Sequence, residues 1–470
     1  MAGIGFELRK VFSKNSIISK IRGIVFATMT TIGPTIIFLF LLLGIHFTID
    51  KLGVSQIDKD FFSSALLYIF IGAIIISSAL NTITSRFTSD MLFENKEEYV
   101  PSALFGSIFI AALLSTVWGL FITLTLYLNR DQPGYSQYNI SLEFVVALFL
   151  FCVMIAITYT TMTFISTIKE YAKITKAFAL GILGSFLLFF LFYFGLHFTI
   201  ITSIMWAMAL GFLIINIIIV YYIISFFNFS SDKCFAFLAY FRKYPMLFFS
   251  GVFYIAGLYI ANILYWFFST IKEQVAMFHV APTYDMASFI AILANLSAVV
   301  IFTVKIETQF FEKYKRYVTS LANASYATIE KTRKVMENTL TVQLFFIYEV
   351  QLIIEIILSC LAIIIFPYIG LGQEILDFFL ILGMAVFCIF SMYFTVVFLY
   401  YFDDQFGSFA TTGIFLAVTT ITAIIVLNFF GKEFYAVAPL FGGITGWLFG
   451  FFRLKYFIKQ VNAQLFCRKT

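Results

Sequence analysis

The run from Asn81 to Asp90 is polar at nearly every position, inside a chain that is otherwise mostly apolar. Only Ile83 and Phe87 interrupt it, four residues apart, so they share one narrow helical stripe. Arg86 and Asp90 are also four apart and can pair on one face. Two readings fit. The residues from 61 to 80 already supply enough apolar length to span a bilayer, so the polar run fits a helix end leaving the membrane. It also fits the inner mouth of a water-filled path, with Asn81, Arg86 and Asp90 as translocation candidates. Lys305 and Glu307 close a later apolar run in the same manner. Snorkelling to the headgroups explains Lys305, and a matching place at a path mouth is the alternative.

Other polar residues fall inside apolar runs. Glu349, Gln351 and Glu355 do so together, with Gln351 and Glu355 on one helix face. An ionised carboxylate at mid-membrane is costly. Glu355 therefore reads either as a hydrogen-bonded structural group or as a coupling carboxylate, and Glu349 is a second coupling candidate. Asn216, Asn262 and Asn295 must find partners if they are membrane-buried. They fit interhelical bonding, and Asn262 and Asn295 also fit the wall of a polar path. Tyr254, Tyr259, Tyr265 and Trp266 crowd one run and could stack on sugar rings, Tyr259 and Trp266 foremost. Gly33-Pro34 in the first run is a candidate hinge, because proline removes a helix hydrogen bond. Gly442, Gly446 and Gly450 suit close helix packing.

Several chemistries are set aside. His46, His197 and His279 have no metal spacing, and the five cysteines suggest neither a metal site nor a disulfide framework. No P-loop occurs. The longest connector, about 35 residues, is too short for a nucleotide-sugar domain. No catalytic residues, metal or cofactor are expected, and the chain does not read as an enzyme.

The elements that position these residues follow from composition. Hydrophobic residues make up 61% of 470 and charged residues 12%, about half the charge of an ordinary soluble domain. Mean hydropathy is +0.98. The apolar runs are continuous, which argues for helices rather than the alternating strands of a barrel. The sequence therefore predicts an all-α polytopic membrane protein of about twelve spans. They lie near 23–47, 61–85, 101–128, 141–167, 174–194, 199–227, 245–268, 284–304, 341–366, 375–401, 408–430 and 435–452. Of the 30 basic residues, 25 fall in the termini and the even-numbered connectors, which places both termini in the cytoplasm. No cleavable signal peptide is expected, because the first 22 residues are too polar. Basic residues are spread over many short loops, which argues against nucleic acid as a partner.

The pattern also looks doubled. Tyr99-Val100-Pro101-Ser102 answers Tyr317-Val318-Thr319-Ser320, and Arg86 answers Lys305. Six spans followed by six in the same orientation make a parallel pseudo-repeat of two six-helix lobes. The expected organisation is an amphipathic cytoplasmic segment at 1–22 and an N-lobe at 23–227. A cytoplasmic linker follows at 228–244, then a C-lobe at 245–452 and a basic tail at 453–470. In the first segment Ile4, Leu8, Val11 and Phe12 form one face, suited to a membrane surface or to a partner. The second half carries an extra charged stretch at 320–337, expected to extend the ninth span into the cytoplasm.

The opening MAGIGFELRK resembles the start of the PelG family, the membrane transporters of bacterial Pel exopolysaccharide systems. The twelve-span pattern extends the resemblance over the chain. The family is similar to polysaccharide flippases, lipid II flippases and multidrug exporters. The resemblance implies two lobes around a central cavity lined by spans 1, 2, 7 and 8. It also implies export of an N-acetylhexosamine polymer across the inner membrane. The implied partners are a cytosolic glycosyltransferase and further membrane subunits of a Pel-type synthase complex. Three alternatives stand beside this reading: a cation-coupled multidrug or lipid-linked oligosaccharide flippase of the same fold, a membrane-embedded transferase, and a scaffold for the synthase.

Overall fold

The computed structural model describes residues 28–29, 32–168, 171–227 and 233–467. The amphipathic N-terminal segment lies outside the described residues. Thirteen principal helices follow one another: α1 (Gly33–Lys51), α2 (Gln56–Phe93), α3 (Tyr99–Asn129), α4 (Leu142–Ile168), α5 (Tyr171–Phe190), α6 (Ile200–Phe226), α7 (Pro245–Phe268), α8 (Pro282–Lys305), α9 (Phe311–Asn323), α10 (Tyr326–Tyr368), α11 (Gln373–Tyr401), α12 (Gln405–Phe429) and α13 (Val437–Cys467). Among the described residues twelve helices are long and apolar enough to cross a membrane, and each overlaps one of the expected spans. The adjacent runs between 174 and 227 are indeed separate helices. Between them, a π-helical turn ends at Gly195 and His197 takes a positive φ of 54°.

In hydrocarbon every backbone polar group must be satisfied within the chain, which makes helices obligatory here. The same constraint explains the tolerated hydroxyls. Thr84 Oγ1 donates to the Leu80 carbonyl at 3.0 Å, and Thr88 Oγ1 to that of Thr84 at 2.7 Å. Such bonds to the preceding turn need no partner helix. Ends are capped by side chains. Ser55 accepts from the Asp58 N–H at 3.2 Å at the start of α2, and Asp404 accepts from the Gly407 N–H at 3.0 Å at the start of α12.

The chain divides into two compact units. One holds Gly33–Ile255 and Glu273–Val280, the other Ala256–Lys272 and the residues from Ala281 onward. In the first, α2, α3, α4, α5 and α6 pack on one another. Closest approach is set by small residues: a Cβ on Gly211 would run into Ser185. The short antiparallel hairpin Glu273–Val275 and Phe278–Val280 also belongs to this unit. It buries Phe278 completely beside Phe61 and Tyr68. In the second unit α13 packs on α11 and α12. Its Gly442, Gly446 and Gly450 lie against Thr419, Met392 and Thr395, the close-packed face their spacing predicts.

The expected extension of the ninth span is present in part. Helix α10 runs unbroken for 43 residues, so the charged stretch before the ninth span joins that span from Tyr326 onward, while α9 is a separate amphipathic helix. Gly33 and Pro34 are the first two residues of α1, and residues 30–31 ahead of them lie outside the described residues.

Candidate functional site

In the first unit the polar run continues α2 past its apolar part as far as Phe93. At 1.5 Å per residue a 38-residue helix is about 57 Å long, well beyond the ~30 Å hydrocarbon core, so part of it must leave the bilayer. Ile83 and Phe87 are buried, which turns Asn81, Arg86 and Asp90 toward the more open side. Arg86 Nε lies 3.3 Å from Asp90 Oδ1, and the guanidinium stands 5.1 Å from the ring of Tyr244. The pair foreseen from spacing is thus present. Asn81 Nδ2 donates to the Tyr159 carbonyl at 3.5 Å, and its Oδ1 is buried with no donor among the described residues. Together these residues form a half-exposed polar ledge at the end of an apolar helix.

In the second unit Lys305 is the last residue of α8, with its Nζ 3.8 Å from the centre of the Phe346 ring. It is followed by a π-helical turn, Ile306–Phe310. The side chain of Glu307 lies outside the described residues. Each of the two matched cations therefore stands over an aromatic ring within its own unit. Cation–π contacts of this kind contribute about 0.5–2 kcal/mol, depending on desolvation.

Asn295, Gln351 and Glu355 come together, in the geometry that the interhelical-bonding reading of Asn295 and the hydrogen-bonded reading of Glu355 describe. Asn295 Nδ2 donates to Glu355 Oε2 at 2.8 Å and to the Gly383 carbonyl at 3.2 Å. Its Oδ1 accepts from Gln351 Nε2 at 3.0 Å, and Gln351 Oε1 accepts from Ser297 Oγ at 2.9 Å. Asn295 is fully buried and Glu355 is 1% exposed, so both serve the interior of the unit and tie α8, α10 and α11 together. Glu355 Oε1 packs against Gly383, where any Cβ would displace it. Glu349 is apart from this cluster: it lies exposed on the outer face of α10, among Phe345, Phe346 and Ile353. Asn216 likewise bonds inside the first unit, donating to the Met154 carbonyl at 2.9 Å.

A second cluster holds Asn262, read as interhelical bonding or a path wall, and Trp266, read as a possible sugar platform. Asp285 accepts from Asn262 Nδ2 at 2.8 Å, from Trp266 Nε1 at 2.9 and 3.0 Å, and from the Ala281 N–H at 3.0 Å. Trp266 is 3% exposed, so its ring has no open face for a sugar. Tyr265 is equally closed off, stacked on Tyr435 at 4.6 Å and donating to the Tyr435 carbonyl. Tyr259 remains half-buried. Asp285 itself was missed. Its signal was an acid three residues after a proline at the mouth of an apolar run, the position from which a side chain caps its own helix. Among the described residues no group of three or more histidine, cysteine or acidic side chains could hold a metal.

Comparison with known proteins places this architecture. The family described as PelG, exopolysaccharide exporter (EPS-E), matches residues 1–466. No curated protein matches the sequence. Among solved structures, an outward-facing multidrug resistance MATE family transporter of the MOP superfamily aligns with TM-score 0.64 at 13% identity, over 94% of this chain and 96% of that one. A MOP superfamily transporter from Pyrococcus furiosus aligns with TM-score 0.66 at 12% identity, over 93% and 96%. A Vibrio cholerae MATE transporter, VcmN, in its bent form aligns with TM-score 0.60 at 14% identity, over 98% and 99%. At such identities the likeness is one of fold. A family match over nearly the whole chain, on a twelve-span transporter fold, makes this multi-pass membrane protein a member of the PelG family of exopolysaccharide exporters.

Proposed function

We propose that this protein carries a Pel-like N-acetylhexosamine polymer across the bacterial cytoplasmic membrane, with an N-lobe at 23–227 and a C-lobe at 245–452. The observation that carries the reading is the exporter-family match from residue 1 to residue 466, joined to twelve spans. The charge bias supports a chain with both termini in the cytoplasm. In that orientation the ledge of Asn81, Arg86 and Asp90 and the Lys305 end of α8 both face the cytoplasm, where polymer enters. A glycan loses many hydrogen bonds in hydrocarbon, so its entrance calls for exposed donors without a strong field. Arg86, whose charge is offset by Asp90, and Lys305, set over a ring, meet that need.

The partners in this reading are a cytosolic glycosyltransferase that feeds the chain and other membrane subunits of a Pel-type synthase complex. Inverted membrane vesicles holding that synthase, with and without this protein, test the function. Labelled polymer should accumulate inside only when the protein is present. Equal accumulation in its absence would overturn the reading.

A further inference from the structure

The first unit carries a cleft at the end opposite the Arg86 ledge. Three connectors build it: the turn from α1 into α2, the loop before α4, and the start of α6. Its volume is about 240 Å³, somewhat below the ~300 Å³ at which pockets for drug-sized ligands begin. That is room for one ring-sized ligand rather than several. Phe61 and Phe144 contribute to the lining but are themselves buried, 3% and 1% exposed. Both rings are held in place, because Phe61 stacks on Tyr138 at 4.9 Å with 26° between planes and packs on Phe144 at 5.4 Å. The rest of the lining is mixed: Ser55, Asp58, Asn139 and Thr199 are polar, and Leu52, Val54, Ile200 and Ile201 are apolar.

Charge narrows the ligand. Among the described residues Asp58 is the one charged residue on the wall, and no lysine or arginine lines it. Its carboxylate accepts from Ser55 Oγ at 2.8 Å, within the capping arrangement of α2. The neighbouring Lys59 is paired instead with Asp50. A phosphate headgroup would meet the Asp58 carboxylate on a wall with no lysine or arginine among the described residues, which disfavours it by like-charge repulsion. A neutral polyol would find amide, hydroxyl and carboxylate partners in Asn139, Ser55, Thr199 and Asp58.

We infer that this cleft binds a single neutral sugar residue on the outer face of the membrane, as a holding subsite for glycan that has emerged. The inference rests on the export reading and on the orientation it assumes. A subsite there would favour forward movement, because a bound outer residue opposes backsliding of the chain.

The test uses the full-length protein in lipid nanodiscs and chitotetraose, four linked N-acetylglucosamine residues, as probe. Binding is read by saturation-transfer NMR. Asn139 is exposed at the mouth, so Asn139→Trp should obstruct the cleft without disturbing the packed core. Affinity is expected to fall at least tenfold in Asn139→Trp and several-fold in Asn139→Ala. Gln132→Trp, exposed on the same loop but outside the cleft, should bind as the wild type does. Absence of binding by the wild type, or unaltered binding by a folded Asn139→Trp protein, would overturn the subsite. Displacement of the probe by short-chain phosphatidylglycerol at equal concentration would overturn it in favour of a lipid site. Vesicle export measured on the same proteins separates the two claims: polymer export by a wild type that does not bind chitotetraose would leave the export reading intact and remove only the subsite.

Discussion

Replacing Gly383 with alanine is expected to loosen the second unit through one identifiable atom. A Cβ at that position would run into Oε1 of Glu355, the buried oxygen that has no donor among the described residues. Either α11 shifts or the carboxylate leaves its place. Overpacking of this kind costs about 1–3 kcal/mol. If the carboxylate swings away, the 2.8 Å bond from Asn295 goes with it, which is worth roughly 1 kcal/mol in a membrane bundle. The expected loss is then about 2–4 kcal/mol. Glu355→Ala alone leaves a cavity, while the Asn295 amide keeps the Ala291 and Gly383 carbonyls as acceptors; about 2 kcal/mol is the expected cost. The two effects cannot add, because alanine at 355 removes the atom that the new methyl strikes. On that background Gly383→Ala should cost no more than about 1 kcal/mol. Thermal unfolding of the four proteins in one lipid composition, followed by tryptophan fluorescence, measures the cycle. Equal destabilisation by Gly383→Ala on both backgrounds would refute the contact.

Three further outcomes are expected. Tyr68 Oη donates to the His279 carbonyl at 2.8 Å and accepts from the His279 N–H at 3.1 Å; Tyr68→Phe should raise amide exchange across the Glu273–Val280 hairpin about tenfold, the effect of losing two net bonds of ~0.5–1.5 kcal/mol each, and unchanged exchange would show that apolar packing of Phe278 holds the hairpin unaided. Reporter fusions at Ser136 and Lys469 should read outside and inside respectively; a cytoplasmic signal at Ser136 would reverse the proposed orientation. Arg86→Gln combined with Lys305→Gln should cut polymer export severalfold at normal abundance, with Asp90→Asn as the control for an orphaned carboxylate, and full export by the double variant would reduce both cations to anchors.

The fold was legible in sequence because the bilayer imposes it. Once apolar runs of about twenty residues are found, helix is the available spanning state for each, and span count follows from counting runs. The apolar signal could not supply where the expected extension of the ninth span begins. Helix α10 begins at Tyr326, fifteen residues before the apolar run that marked the ninth span at 341. Outside the membrane, water can satisfy the backbone, so the apolar signal stops before the helix does. The connector after α7 was similarly opaque. Its hairpin is only three residues a strand, too short for an alternating pattern, and is fixed by burial of Val275 and Phe278 rather than by propensity.

The candidate residues divide along a different line. Arg86 and Asp90 were readable because an i,i+4 pair depends on one helix alone. Asn262, Asn295, Glu355 and Trp266 depend on what the facing helix offers, which spacing does not encode. Each polar group in an apolar run has the same two explanations, a wet path or a dry partner, and partner geometry decides between them. Asn295 spends both ends of its amide on α8, α10 and α11. Asn262 and Trp266 both turn to Asp285. A side chain so bonded can reach a passing glycan only by giving up bonds already formed. Arg86 and Lys305 at the helix ends are half-exposed, so what they would give up is a solvent-screened pair or a ring contact rather than a buried network. A polymer that must keep moving is served better by groups that bind weakly and release than by groups committed to the interior.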